Sequence, residues 1–108
     1  MVDGADRRIF ERIPVDFPVK FKNATQDKEG AGFCVDISAG GAGVFCKDKC
    51  ELNDKLDLWV DLPNRYDPLH LSGEIVWLKE TQPQVWRLGI EFSEVHFMDL
   101  ATVVRMAQ

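Results

Sequence analysis

Residues 13–22 read Ile-Pro-Val-Asp-Phe-Pro-Val-Lys-Phe-Lys, and from the third position onward apolar and polar side chains alternate. The apolar positions are Val15, Phe17, Val19 and Phe21, and the polar face holds Asp16, Pro18, Lys20 and Lys22. A period of two is typical of a β-strand with one buried face. Because proline cannot donate to a strand ladder, Pro18 indicates an edge or a bulge. Residues 13–22 are therefore predicted to form the first strand.

The same alternation returns from Phe33 to Ser38. Phe33, Val35 and Ile37 would face the core, so that Cys34, Asp36 and Ser38 project from the opposite face. Asp36 and Ser38 are thus expected side by side, away from the core. Three glycines follow within four residues, at Gly40, Gly41 and Gly43, and indicate a tight turn whose backbone conformations are costly for other residues.

Further extended segments are predicted at 44–45, 55–62, 69–78 and 85–92, the last two separated by a turn at 80–83. After Ser93, a candidate N-cap, the apolar residues recur at the spacing of one helical face. The apolar positions of that face are Phe97, Leu100, Ala101 and Val104. We predict an all-β dominated fold: a small six-stranded antiparallel barrel over residues 13–108 with a C-terminal α-helix, preceded by a flexible segment at 1–12.

Length and composition fit one domain, since 108 residues with 45% hydrophobic content can build one core. No apolar run approaches the roughly 20 residues that cross a bilayer, and no apolar region follows the N-terminal charges, so we expect a soluble cytoplasmic protein without membrane insertion. The net charge of −5 argues against general binding of nucleic acid.

The three cysteines, Cys34, Cys46 and Cys50, are expected to be reduced thiols. A zinc site at Cys46 and Cys50 is the alternative, but the pair lacks a second pair at a matching spacing. His70 and His96 lie far from it in sequence and have no nucleophile or orienting carboxylate at a motif spacing. We therefore predict no metal, no cofactor and no catalytic residues.

Two short motifs carry the functional signal. Arg7, Arg8 and Arg12 fall within six positions of an otherwise acidic chain, and Asp36, Ser38 and Gly41 follow the spacing Asp-x-Ser-x-x-Gly at a strand end. An arginine pair four positions apart is common by chance, and the Asp-Ser-Gly spacing is rarer by about an order of magnitude. Their combination in this order is specific. The combination resembles the signature of PilZ domains.

The resemblance extends to residues 73–77 and 87–92, which look like later strands of that family, so it covers nearly the whole chain. The barrel and terminal helix inferred from periodicity agree with the family fold. The resemblance implies a receptor for the bacterial second messenger cyclic di-GMP. It also implies a downstream protein partner, in motility, adhesion, exopolysaccharide production or transcription.

If the family pattern carries over, Arg8 and Arg12 clamp phosphate and guanine, and Arg7 adds a third guanidinium group. Arginine suits this task because its planar fork pairs with phosphate oxygens, matches the O6 and N7 acceptors of guanine and stacks on a purine. We expect the N-terminal segment to order over the ligand and thereby change the surface offered to the partner. Whether one nucleotide or a stacked pair binds stays open.

The turn residues have matching implied roles. Asp36 can accept hydrogen bonds from the N–H groups of a guanine edge, with the Ser38 hydroxyl beside it. Gly40 and Gly41 would let the backbone approach the ligand closely. Trp77 is the best candidate among three tryptophans for stacking on a base, although such residues more often belong to the core or the barrel surface.

Other interpretations remain. Asp36 and Ser38 could merely stabilise the turn through bonds to the backbone. A PilZ-like interaction module without nucleotide is the stronger competitor, and a small RNA-binding barrel is a third. An enzyme is disfavoured because the chain offers no nucleophile with its base, no metal set and no phosphate loop ahead of a helix.

Overall fold

The computed structural model describes residues 12–63 and 65–94. Within them the chain forms six strands, which are β1 (Ile13–Asn23), β2 (Lys28–Ile37), β3 (Gly41–Cys46), β4 (Lys55–Val60), β5 (Leu69–Gln82) and β6 (Val85–Phe92). All pairings are antiparallel. The order β1-β2-β3-β6-β5-β4 closes on itself because β4 also pairs with β1. The predicted six-stranded antiparallel barrel is therefore confirmed.

Two predictions fall wholly or mostly outside the described residues: the flexible segment at 1–12, of which only Arg12 is described, and the helix after Ser93. The turn predicted at 80–83 is shorter than expected, because β5 continues to Gln82 and only Pro83 and Gln84 connect it to β6. In the part of the chain that the structure describes, no helix is long and apolar enough to cross a membrane.

The barrel interior is filled by the apolar face of each strand. In β1 the side chains of Phe17, Val19 and Phe21 are buried, whereas the residues between them are exposed, as the alternation predicts. Aliphatic side chains from the other strands complete the core, led by Leu56, Leu58, Leu71, Ile75, Leu88 and Ile90. Each such side chain stabilises the fold by about 1.5–3 kcal/mol relative to an exposed position.

The predicted faces of β2 were right at Ile37, which is buried, and wrong at Phe33 and Cys34. Cys34 is fully buried and Ser38 is buried, whereas Phe33 is 52% exposed. The reason is a register shift between Cys34 and Asp36, which lie opposite the consecutive residues Val44 and Gly43 of β3. Val35 is thus an extra residue on β2, and a bulge of this kind breaks the alternation. Asp36 emerges from the bulge beside the turn into β3.

The conformational role predicted for the glycines was also wrong. Among the described residues no glycine has a positive φ; Asp27, Asn53 and Gln84 adopt that conformation instead, each in a turn or loop. The need for steric room explains the presence of glycine better than backbone conformation does. A Cβ on Gly41 would stand 2.4 Å from the carbonyl oxygen of Ile90, so β3 and β6 could not approach each other as they do.

Candidate ligand-binding site

The Asp36 carboxylate, at the end of β2, is shared by two arginines. Nη1 of Arg12 donates to its Oδ1, and Nη2 of Arg87 donates to its Oδ2 across 2.8 Å. The Asp36 side chain is 14% exposed, whereas the guanidinium-bearing side chains of Arg12 and Arg87 are 46% and 38% exposed. A largely covered anion therefore lies beneath two cations that still reach solvent.

Arg87 belongs to β6 and was missed by the sequence argument. Its guanidinium carbon lies 5.5 Å from the centre of the Phe45 ring and 5.9 Å from that of Trp77, within the range of cation–π attraction. Its Nε is buried and has no hydrogen-bond partner among the described residues. One feature of the sequence could have indicated Arg87: it is a charged residue at an outward position of a strand whose other face is apolar. Its partner, however, is 51 positions away.

Trp77 lies on β5 and is 39% exposed. Its indole packs flat against Gly89 of the neighbouring strand, where a Cβ would come within 2.1 Å of Nε1. Glycine at position 89 is therefore required for this packing. The structure places Trp77 beside Arg87, and so one side chain away from Asp36.

Ser38 is turned toward its own backbone. Its Oγ accepts hydrogen bonds from the N–H groups of Gly40 (3.3 Å) and Gly41 (3.1 Å), and donates to the Gly41 carbonyl oxygen. The residue is only 5% exposed. Ser38 therefore stabilises the turn between β2 and β3, which was the alternative interpretation of the motif. Asp36 instead bonds to side chains.

Gly43 is a second residue that the sequence argument did not place in the site. It pairs with Asp36 across the β2–β3 ladder. A Cβ at this position would stand 2.8 Å and 2.9 Å from the two carboxylate oxygens. The absence of a side chain at position 43 therefore lets the carboxylate lie close to β3, within reach of Arg87 on the next strand.

The structure thus brings together Arg12, Asp36 and Trp77, with Arg87 between the last two. It places Ser38, Gly40 and Gly41 in the turn that follows Asp36. Arg7 and Arg8 lie outside the described residues. No group of His, Cys, Asp and Glu suited to a metal ion occurs in the described part of the chain.

Comparison with known proteins decides the family. The family model for the PilZ domain matches residues 6–107 of this chain. The chain belongs to the PilZ domain family. No curated protein matches it.

Solved structures share its fold. The PilZ domain of YcgR from Escherichia coli, solved with cyclic di-GMP, superposes with a TM-score of 0.69 at 15% identity and covers 94% of this chain and 88% of that one. The PilZ domain of CeSA from a cellulose-synthesizing bacterium gives 0.62 at 23% identity, covering 90% and 94%. MotI/DgrA of Bacillus subtilis, an inhibitor of motility, gives 0.69 at 19% identity; 92% of this chain matches 48% of it. At these identities the likeness establishes the fold.

Two grooves flank the site of this PilZ domain. One, of about 690 Å³, is mostly apolar and includes Phe33, Phe45 and Trp59. The other, of about 590 Å³, runs between the loop after β3 and the β5–β6 hairpin, and Cys50, Trp77 and Trp86 contribute to it. Phe45 and Trp77, the two rings around Arg87, therefore each belong to a groove as well as to the site.

A buried carboxylate, that of Asp54, lies elsewhere in the barrel. Asp54 is 4% exposed, and its Oδ2 accepts hydrogen bonds from Asn23 Nδ2 (2.7 Å), Gln26 Nε2 (2.7 Å) and the backbone N–H of Glu51 (2.9 Å). Burial opposes the charged form, but these hydrogen bonds outweigh it and lower the pKa of Asp54 below its ordinary value. All three donors are uncharged.

Proposed function

We propose that this PilZ domain is a cytoplasmic receptor for cyclic di-GMP that passes the level of the messenger to a partner protein. The observation that supports it best is the pair of arginines on Asp36. One carboxylate, two guanidinium groups and an exposed indole lie next to one another at the Asp-x-Ser-x-x-Gly turn. These are the groups that a ligand with two guanines and two phosphates requires. The YcgR domain with the same fold was solved with this nucleotide.

Binding would proceed by exchange of partners. A guanine edge that donates two N–H groups to Asp36 would replace Arg12 and Arg87, which now occupy both oxygens. The released guanidinium groups would then bind phosphate oxygens or the O6 and N7 acceptors of guanine. Because each charged group exchanges one hydrogen-bonding partner for another, none is left buried without a hydrogen bond.

Trp77 and the turn complete the proposed site. The exposed indole would stack on a guanine, and Arg87 would remain against its face. The turn at Gly40 and Gly41 would admit the ligand close to the backbone. Ser38 would contribute mainly by holding that turn, since its hydroxyl is already bonded to it.

Arg7 and Arg8 would join Arg12 on the bound nucleotide and order the N-terminal segment over it. Arg12 already reaches Asp36, so the segment is anchored at the edge of the site. The change in the surface around Asp36 would be the signal that a partner protein reads. This is a shift between two arrangements of existing residues and requires no catalysis.

A nucleotide-independent interaction module is the second candidate, and one observation favours it. Both oxygens of Asp36 are satisfied within the protein, and Ser38 is bonded to its own turn. A site whose polar groups are already paired can be purely structural. Binding measurements separate the two functions.

Isothermal titration with cyclic di-GMP tests the proposal, with GTP and cyclic di-AMP as control ligands. We expect saturable binding selective for cyclic di-GMP, weakened at least about tenfold in Arg8→Ala and in Asp36→Ala, in line with about 1–3 kcal/mol for a charged hydrogen-bonding partner. Arg65→Ala and Asp61→Ala remove exposed charges outside the site and should bind like the unsubstituted chain. The stoichiometry distinguishes one ligand from two.

Absence of both binding heat and thermal stabilisation at high ligand concentration would reject the receptor, because even modest affinity raises stability by mass action. The interaction module would then be the better account. Binding that is equally strong in Asp36→Ala would place the nucleotide elsewhere on the barrel.

A further inference from the structure

Large aromatic side chains lie exposed on the outer face of the barrel. Phe33 of β2 is 52% exposed and Trp59 of β4 is 37% exposed. Both line the apolar groove of about 690 Å³, together with Phe45 of β3. Single apolar residues are common on protein surfaces, but a contiguous apolar patch marks a surface that contacts another molecule.

Strand pairing joins these rings into one patch. Phe33 lies opposite Pro18 of β1 on one side and Phe45 of β3 on the other. Trp59 lies opposite Lys20, two positions along β1 from Pro18, and is therefore on the same face. We call Pro18, Phe33, Phe45 and Trp59 the outer strip. It crosses the consecutive strands β4, β1, β2 and β3, and because neighbouring strands lie about 4.8 Å apart it is about 14 Å wide.

The two edges of the outer strip carry opposite charges. Asp61 lies at the β4 edge, where its backbone N–H donates to the Pro18 carbonyl oxygen across 2.9 Å. Lys47 directly follows β3, at the opposite edge. Both residues line the groove and are exposed, and among the described residues neither belongs to an ion pair. The outer strip thus has a negative edge, an apolar centre and a positive edge.

This distribution of charge makes the outer strip complementary to itself. A half-turn about an axis that runs along the strands, between β1 and β2, brings the β4 edge of one copy opposite the β3 edge of another. Asp61 of each copy would then face Lys47 of the other, while the apolar centres meet. Twofold dimers require such a surface, because the same patch is used on both sides. A strip with one sign of charge at both edges would instead repel its own copy.

Lys20 is a further charged residue that lines the groove. It occupies an exposed position of β1, opposite Trp59. Lysine can pack its aliphatic stem against an apolar surface while its ammonium group stays in water. Lys20 is therefore compatible with an apolar centre, although it adds no attraction between two copies.

We propose that the outer strip is the interface of a weak, twofold-symmetric homodimer. Phe33, Phe45 and Trp59 of one copy pack against the outer strip of the second, and an Asp61–Lys47 pair closes each edge. The patch is smaller than a standard interface of about 20–30 residues a side, so association in the micromolar range is expected. The dimer requires no nucleotide, and it stands or falls independently of the proposed receptor function.

Sedimentation velocity of the full 108-residue chain, from micromolar to near-millimolar protein concentration, tests the dimer. We expect the average mass to rise with concentration from that of one chain, 12.3 kDa, toward twice that value. Phe33→Ser and Trp59→Ser should each raise the dissociation constant by about tenfold or more, because a few aromatic residues carry most of the binding energy of an interface. Leu52→Ser is the matched control, since Leu52 is 54% exposed but lies in the other groove, and it should leave association unchanged.

Charge exchange tests the orientation of the two copies. Asp61→Lys places two lysines opposite each other at both edges, and Lys47→Asp places two aspartates there. Each variant alone should therefore associate at least about tenfold more weakly. An equimolar mixture of the two variants should restore the dimer, because each edge of the mixed dimer then pairs a lysine with an aspartate. A substitution that merely unfolds the chain could not be rescued in this way.

Three results would overturn the proposal. A chain that stays monomeric at the highest concentration would assign the outer strip to another occupant, either residues 95–108 or a different protein. An equal loss of association in Leu52→Ser and Phe33→Ser would place the contact outside the outer strip. A mixture of the charge variants that stays monomeric would reject the twofold arrangement. Circular dichroism of each variant verifies that the barrel is folded.

Discussion

Asp36 and Asp54 are both largely covered aspartates of one barrel, and they are satisfied in opposite ways. Asp54 accepts from two amide side chains and one backbone N–H, all uncharged. Asp36 accepts from two guanidinium groups, which arrive from the N-terminal side of β1 and from β6. The Asp54 donors are fixed by the fold, whereas the arginines are long side chains that reach solvent. The difference separates a carboxylate held by fixed, uncharged donors from one whose charged donors would be exchanged in the proposed binding of nucleotide.

The largest effect should come from removing the fixed carboxylate. Asp54→Ala leaves Asn23, Gln26 and the Glu51 N–H without their acceptor in a buried site, so we expect unfolding to become easier by about 3 kcal/mol. Urea denaturation measures this. Asp54→Asn, which keeps one acceptor oxygen, should lose less, and the folded fraction of either variant should bind cyclic di-GMP with unchanged affinity. A loss of affinity in Asp54→Asn would erase the distinction between the two carboxylates.

The exchangeable carboxylate should show the reverse pattern. Asp36→Ala removes a part-buried acceptor but leaves Arg12 and Arg87 with side chains that reach solvent, so its free energy of unfolding should fall by about 1 kcal/mol, less than in Asp54→Ala. Affinity for cyclic di-GMP should still fall at least about tenfold. Denaturation and titration of the same preparation check both. A destabilisation as large as that of Asp54→Ala would make Asp36 a structural residue.

Gly43→Ala should have a smaller effect and tests a single contact, the one between position 43 and the Asp36 carboxylate. Its Cβ would meet both Asp36 oxygens at less than 3 Å, so the carboxylate must rotate away. Because a flexible side-chain end can move at little cost, we expect nearly unchanged stability and an affinity lowered by about threefold to tenfold. In an Asp36→Ala background the same substitution should have no further effect. An equal loss in both backgrounds would show that Gly43 acts independently of the carboxylate.

Acid should produce the mildest effect, and through Asp54. Hydrogen bonds lower its pKa in the folded state, so it stabilises the fold above the ordinary aspartate pKa near 4. That contribution to stability is lost as the pH falls through the lowered pKa that Asp54 has in the folded state. The Asp57 pKa is lowered chiefly by a hydrogen bond from Ser72 and adds in the same direction. Stability measured from pH 6 to pH 2 should fall less steeply in Asp54→Asn; an equal slope would locate the acid sensitivity elsewhere.

The strand pattern was predictable because burial on one face imposes a period of two. It succeeded in β1, where no bulge interrupts Phe17 to Phe21, and failed in β2, where one extra residue at Val35 reverses the faces of Phe33 and Cys34. A bulge is fixed by the partner strand. The residues of β2 alone therefore could not reveal it.

The cluster around Asp36 was predictable as a candidate site where its residues are close in sequence, and it was not predictable where they are far apart. The motif positions Asp36, Ser38 and Gly41 were found from their spacing. Arg87 was not, because its place beside Asp36 depends on β3 pairing with β6 rather than with β4. The conformational role predicted for the glycines was wrong as well. Gly43 and Gly89 make room for the side chains that lie over them, Asp36 and Trp77, and neither has a positive φ.

The pairing of β3 with β6 also bears on how the protein is made. Gly41 pairs with Glu91, and Arg87 meets Asp36 across 51 positions, so the site depends on some of the most sequence-distant contacts of the barrel. Such non-local contacts form late and slowly in β proteins. A nascent chain on the ribosome has the Asp-x-Ser-x-x-Gly turn long before it has Arg87. The arrangement of charges around Asp36 is therefore completed only when β6 has been synthesised and joined to the barrel.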